Sequence, residues 1–164
     1  MNGDRTVGER LLLLAGSIGP LGHLPASGTV TVVLVGVPLY YVMHTWHWLM
    51  YVLVTAAFAT TSVWLHHVGD EILGSKDSGR LVWDEIVGFM VAVACVPFTW
   101  QLVLFALVAE RAIDIVKFPP AGYIERHWPG GWGVVGDDVV AGLYTRGLMH
   151  LAIWYKPVVM GVTS

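Results

Sequence analysis

An all-α architecture is the fold class this sequence predicts, and three observations predict it. From Leu11 to Gly69 the chain carries no Asp, Glu, Lys or Arg, a run of 59 residues, and a second charge-free run of 24 residues covers Ile86 to Ala109. Soluble domains seldom run so far without a charge, and about 18 apolar residues are enough to suggest a membrane segment. Composition agrees: 55% of the 164 residues are hydrophobic and 13% charged, with a mean hydropathy of +0.65. Soluble proteins sit near roughly 45–50% apolar with Gly included and ~25% charged. Third, Gly- and Pro-rich breaks cut the apolar runs into helix-sized pieces. The expectation is a compact, membrane-associated helical domain over residues 1–164, with about five or six helices including hairpins. Its carboxylate-rich site would lie at the cytoplasmic membrane face.

The elements follow in chain order. Met1 to Arg10 is balanced in sign, and Leu11 to Ala15 is too short for the apolar core of a signal peptide, so no cleavable leader is expected. Val7 to Ala15 has the pattern of an amphipathic interfacial contact. Gly16 to Gly28 reads as a loop. Val30 to Leu65 is lipid-compatible but interrupted at Gly36-Val37-Pro38 and again at His44-Thr45-Trp46-His47, which predicts two short helices in a hairpin. Most of the eight Trp fall near segment ends, where interfacial aromatics sit.

Ten of the twelve acidic residues fall in two windows, Asp70–Glu85 and Glu110–Asp138, on either side of the second apolar run. Pro97, followed by Phe98-Thr99-Trp100-Gln101, predicts a turn in that run. Glu85 lies 12 residues before Pro97 and Asp114 lies 17 after it, or roughly 18 Å down one arm and about 25 Å back at 1.5 Å per residue. A hairpin therefore brings both windows to one level. Its arms are too short to span singly at about 20 residues per crossing. Cys95, the single cysteine, falls within the apolar helix and reads as packing, as do Met90, Met149 and Met160.

The chemistry concentrates at these windows. Arg111, Asp114 and Lys117 share one helix face, and Glu110 and Asp114 form a like-charge pair that needs a cation beside it. Asp77-Ser78-Gly79 supplies a cap and turn, with Asp84 and Glu85 in the early helix beyond. Gly130 to Gly136 holds glycines that would let backbone amides approach an anion, and Asp137-Asp138 would cap a helix from about Val139 to Tyr155. Gly88 and Gly142 would let helices pack closely beside the acids. Caps and dipole partners account for Asp77 and Asp137 as well as function does. They account poorly for Glu85, Asp114 and Asp138 abutting apolar segments, where ionised groups are costly.

Carboxylates mixed with Arg and Lys at a membrane surface suit magnesium and a phosphate ester. His44, His47, His66 and His67 match no zinc pattern and read as interfacial side chains. Asp70, Glu71 and Glu125 read as a solvated face. Nine Lys+Arg against twelve Asp+Glu leave no footprint for nucleic acid. Other phosphate chemistries lack their motifs: the residue six after Cys95 is Gln101 rather than Arg, and no Asp-x-Asp triplet, Pro-Ser-Gly-His or Asp-Gly-x-x-Ala-Arg occurs.

Three blocks together resemble the phosphatidylglycerophosphatase A family. They are Lys76-Asp77 through Asp84-Glu85-Ile86-Val87-Gly88, Arg111-x-x-Asp114-x-x-Lys117, and Gly130 through Asp137-Asp138-x-x-Ala141-Gly142. Leu24-Pro25-Ala26-Ser27-Gly28-Thr29 resembles the family's Pro-Gly-Thr loop. The chain departs from the pattern at Phe118 (usually Pro), Ser27 (Pro), Val30-Thr31 (Gly-Ser) and Glu110 (commonly Phe). The resemblance implies a magnesium-dependent phosphatase of the bacterial cytoplasmic membrane, its active site facing the cytoplasm, converting phosphatidylglycerophosphate to phosphatidylglycerol. It implies metal ligation by Asp84, Glu85, Asp137 and Asp138, with Asp114 as a further ligand or base and Asp77 as an additional candidate. Arg111, Lys117, Thr29 and Gly131 would bind the substrate phosphate. The phospholipid and the bilayer are the partners expected, with an oligomer left open. Two other readings stand beside it. One is a small membrane carrier or assembly subunit, which predicts the acidic windows on opposite faces; the other is a helical phosphatase acting on another phosphate ester.

Overall fold

The computed structural model describes residues 5–162 and contains only helices and turns among them. The first four residues of the sign-balanced N-terminal segment lie outside the described residues. Seven helices are present: α1 (Val7–Gly16), α2 (Ser27–Met43), α3 (Trp48–Leu73), α4 (Trp83–Ala92), α5 (Trp100–Val116), α6 (Ala121–His127) and α7 (Gly131–Tyr155). That is more than the five or six expected. The extra elements are short helices at segment ends, where runs of few apolar residues give little periodic signal.

α1 opens with a capping box, Thr6 and Glu9 each satisfying the other's backbone N–H. Its C-terminal carbonyls are taken by α4: Trp83 Nε1 donates to Ala15 O at 2.9 Å and Val82 N–H to Gly16 O at 3.2 Å. α2 and α3 form the predicted hairpin, with the break at His44–His47. Gly36-Val37-Pro38 does not interrupt α2, however. The chain widens into a π-turn at Val32–Gly36, which relieves the clash of the Pro38 ring with the preceding turn. α3 is not short either: it runs 26 residues to Leu73, at mean hydropathy 1.6 in its most apolar window. Among the described residues it is the one helix long and apolar enough to cross a membrane.

α4 is the central element, packed against α7, α3, α5 and α2, and Ile86 to Met90 are all buried. The turn at Pro97 forms as expected, and Thr99 caps α5 by accepting the Leu102 N–H at 3.2 Å. Cys95 is not in a helix. It sits in this turn, exposed, at a φ of 58°. Met90 and Met149 are fully buried and Met160 packs partly against the same core.

The glycine-rich segment is a second correction. α7 begins at Gly131, not near Val139, so Asp137 and Asp138 lie two turns inside the helix and cap nothing. The glycines are packing positions. A Cβ on Gly131 would meet Val63 O at 2.2 Å, and one on Gly136 would meet the Ile124 side chain at 2.7 Å. Gly142 and Gly88 do bring α7 and α4 together, since a Cβ on Gly142 would lie 2.4 Å from Gly88 O.

Candidate functional site

One arginine organises the site. Arg111, on α5, sends Nε and Nη2 to the two oxygens of Glu110 at 3.1 and 3.0 Å, a fork-to-fork pair. The same guanidinium contacts Glu85 on α4, Asp114 on α5 at 3.4 Å and Asp138 on α7 at 3.6 Å. Four carboxylates from three helices thus converge on one cation. Two close approaches make this geometry possible: a Cβ on Gly88 would lie 2.6 Å from Glu110 Oε1, and one on Gly28 would lie 2.1 Å from Glu85 Oε1. Gly28 and the neighbouring Thr29 open α2, so the N-terminal loop packs directly on the cluster; Ser27 Oγ donates to Gly79 O at 2.8 Å beside it.

Lys117 forms a second pair. It ends α5 in the left-handed region, φ 52°, and its ammonium contacts Asp137 and Glu125, the latter at 3.2 Å. Glu125 is therefore half-buried in an ion pair rather than on a solvated face. Asp70, also expected on that face, is buried and accepts the N–H groups of Asp77 and Ser78 at 3.0 and 3.1 Å. Asp77 does not cap α4; it sits in the preceding turn at φ 55°. Gly131 lies six residues before Asp137 at the start of α7, buried on Val63, and the next two amides donate to Pro129 O and Gly130 O.

Two residues stand in this site that the sequence alone does not place there. His66 is not an interfacial side chain: it is 0% exposed, with Nε2 3.2 Å from Asp84 Oδ1 and Nδ1 3.6 Å from Asp70 Oδ2. The i, i+4 spacing of His66 and Asp70 was the available signal. Glu110, which the spacing marks as the like-charge neighbour of Asp114 but not as a site residue, is fully buried at the centre of the cluster. The like-charge pair Glu110/Asp114 needs a cation beside it, and Arg111 is that cation.

The cluster holds more negative charge than its cation offsets. Burial, then Asp84, pushes Glu85 up to about 8 despite Arg111. Burial, then Asp84 and Glu85, raises Asp138 well above the carboxylate range. Glu110 is raised by burial against the pull of Arg111, and Asp137 is raised by burial to about 6 against the pull of Lys117. Two oxygens are also unsatisfied: Asp137 Oδ1 and Asp138 Oδ1 are buried without a hydrogen bond, while Asp84 Oδ1 and Glu85 Oε2 each meet a single side chain, His66 and Arg111. Buried polar atoms are normally paired. Glu85, Glu110 and Asp138 each offer an oxygen within 4.8 Å of the others. An all-oxygen, carboxylate-rich donor set with unsatisfied oxygens fits a hard divalent cation.

The family model described as phosphatidylglycerophosphatase A matches residues 14–153. The phosphatidylglycerophosphatase A of Escherichia coli K12 is 32% identical over 132 residues, covering 80% of this chain and 76% of that protein. The Haemophilus influenzae protein of the same name is 38% identical over 73 residues, 44% of this chain and 45% of its own. A Bacteroides thetaiotaomicron protein, provisionally named a phosphatidylinositol-3-phosphatase, is 34% identical over 102 residues, 59% of this chain and 62% of its own. No solved structure matches the chain significantly.

Proposed function

The chain belongs to the phosphatidylglycerophosphatase A family, and from that premise we propose that it hydrolyses the terminal phosphomonoester of phosphatidylglycerophosphate, giving phosphatidylglycerol and phosphate. The observation that carries the reading is the convergence of Glu85, Glu110, Asp114 and Asp138 on Arg111 at one end of α4. A carrier would keep the two acidic windows on opposite faces; here they make a single site. The exposed apolar length of α3 and the α2–α3 hairpin support a membrane protein. The site, near the C-terminal end of α3, would face the cytoplasm.

Asp84, Glu85 and Asp138 would hold magnesium, with Glu110 beside them and Asp137 at the edge of the set. An ion held there would supply Lewis acidity toward a phosphoryl oxygen and a bound water. Arg111 would neutralise charge on the phosphate in the transition state, its orientation fixed by the Glu110 fork. Lys117 would hold a second phosphate oxygen once substrate competes for it with Asp137. Asp114, half-buried and 3.4 Å from Arg111, would orient the attacking water and accept its proton. Thr29 and the first amides of α2 lie on the Glu85 side and would close the pocket over the leaving glycerol oxygen. Gly131 would act through α7 packing, and Asp77 through its bond to Asp70.

Phosphate release from phosphatidylglycerophosphate in detergent, with magnesium and with excess chelator, tests the assignment. Release should need magnesium and vanish in both Asp138→Ala and Glu85→Ala while the proteins remain folded. Retained activity in both would remove the metal-site assignment. Preferential release from phosphatidylinositol 3-phosphate would move the substrate to the chemistry named for the Bacteroides relative.

A further inference from the structure

Beside the ionic cluster lies an apolar groove of about 730 Å³ that no part of the chemistry above uses. Ile113, Phe118 and Pro119 form one wall, and Leu143, Leu148 and Leu151 of α7 form the other. The groove is continuous with the site at two points. Phe118 directly follows Lys117, whose N–H donates to Ile113 O at 2.8 Å. On α7, Asp137, Tyr144 and Leu151 recur every seven residues and so share a helix face. That face runs from the ionic end to the apolar end over roughly 21 Å at 1.5 Å per residue. Tyr144 OH donates to Pro119 O at 2.6 Å and ties the two walls together at the mouth.

We propose that this groove binds an acyl chain of the lipid whose phosphate occupies the Arg111/Lys117 site; the inference rests on the lipid-phosphatase reading above. The occupant follows from the arrangement of charge. A ligand held by its phosphate at Lys117 must direct the rest of its mass along α5 and α7, and what it meets is eight lining residues with only Tyr144 polar among the side chains. A volume in this range, lined by aliphatic and aromatic side chains, suits one apolar ligand segment. The wall residues are about half exposed in several places, as at Phe118 (50%) and Leu143 (53%), so covering them removes apolar area from contact with solvent or loose detergent. Binding energy gained there, remote from phosphorus, would position the ester for attack.

Gly147 gives a clean way to fill the groove. It lines the space, and a Cβ built on it meets nothing within 4 Å. Leu or Trp also improves the helix propensity of α7 over glycine at this position. Gly147→Trp and Gly147→Leu would be assayed on dipalmitoyl and dihexanoyl phosphatidylglycerophosphate, at equal surface fraction in the same micelles. Expected is a rise of about tenfold in KM for the long-chain lipid, with kcat/KM for the short-chain lipid held within about twofold. A second variant, Leu148→Ala with Leu151→Ala, should weaken the long-chain substrate selectively by removing one wall. An equal fall on both lipids, or no change on either, overturns the groove, as does an altered oligomeric state without a chain-length effect. Wild-type protein releasing phosphate from neither lipid overturns the reading beneath it as well.

Discussion

The two ends of α4 are both buried, yet they treat polar groups in opposite ways. At its C-terminal end three of the carbonyls left over by the helix are taken up. Val93 N–H donates to Phe89 O at 3.0 Å, Tyr51 OH to Met90 O at 2.7 Å and Ala94 N–H to Val91 O at 3.4 Å. Tyr40 OH covers Val96 O in the turn beyond, at 2.7 Å. In the first turn at the N-terminal end, the buried carboxylates of Asp84 and Glu85 meet one side chain each, His66 and Arg111, and face Asp138, whose Oδ1 has no hydrogen bond. One end is finished by the protein itself. The other gathers more carboxylates than its cation offsets, and a divalent ion bound there would relieve their repulsion. The two ends of a single ten-residue helix thus treat buried polar groups differently.

The contrast can be broken most sharply at Asp138. Asp138→Ala should take phosphate release to background while leaving the metal-free protein as resistant to thermal unfolding as wild type, or more so, because a repelling carboxylate has gone. A lower melting temperature would mean that the acid supports the fold. His66→Ala comes next. The ring lies between Asp84 and Asp70, and Asp70 is in turn anchored by two loop amides. Partners that orient ligating groups typically matter about 10–100-fold in metal affinity. The magnesium concentration giving half-maximal thermal stabilisation should therefore rise by about that factor. His66→Gln should recover part of it, which a purely structural residue would not do.

At the opposite end the largest effect should be on stability. Tyr51→Phe leaves Met90 O buried without a donor, a loss of about 1–3 kcal/mol, while turnover per folded molecule stays unchanged. Equal losses of activity and stability would show that the two ends are not independent. The smallest expected effect is the pH dependence of the metal-free protein. Glu85 titrates near 4.5 when unfolded and near 8 when folded, because burial and Asp84 oppose its charge. The folded state therefore binds more protons than the unfolded one between those values, and stability should fall as pH rises through that window. Asp137 adds to the fall over the lower part, up to about 6. Saturating magnesium should flatten the curve; a curve unchanged by the metal would place the ion away from Glu85.

Much of this was legible in the residues. The charge-free runs announced buried or lipid-facing helices, Pro97 announced the turn, and the spacing of Arg111, Asp114 and Lys117 placed a charged face on α5. The misreadings share a cause. Gly130 to Gly136 looks like a loop because glycine's local preference favours one, and Pro38 looks like a break for the same kind of reason. In both places packing against another helix overrode the local preference, with α7 seated on Val63 and Ile124 and α2 carrying a π-turn.

The sequence by itself determined the inventory: helices of given polarity, two acidic windows, and a cation beside each. Those follow from composition and period, which are local properties. Only the tertiary structure decided the partners. That Arg111 is shared by four acids and that Glu110 is inside rather than out depend on Gly28, Gly88 and Gly142 allowing the helices to approach, and His66 between its two aspartates has α7 close against it at Gly131. Such contacts join residues far apart in the chain, and no local pattern records how close two backbones come.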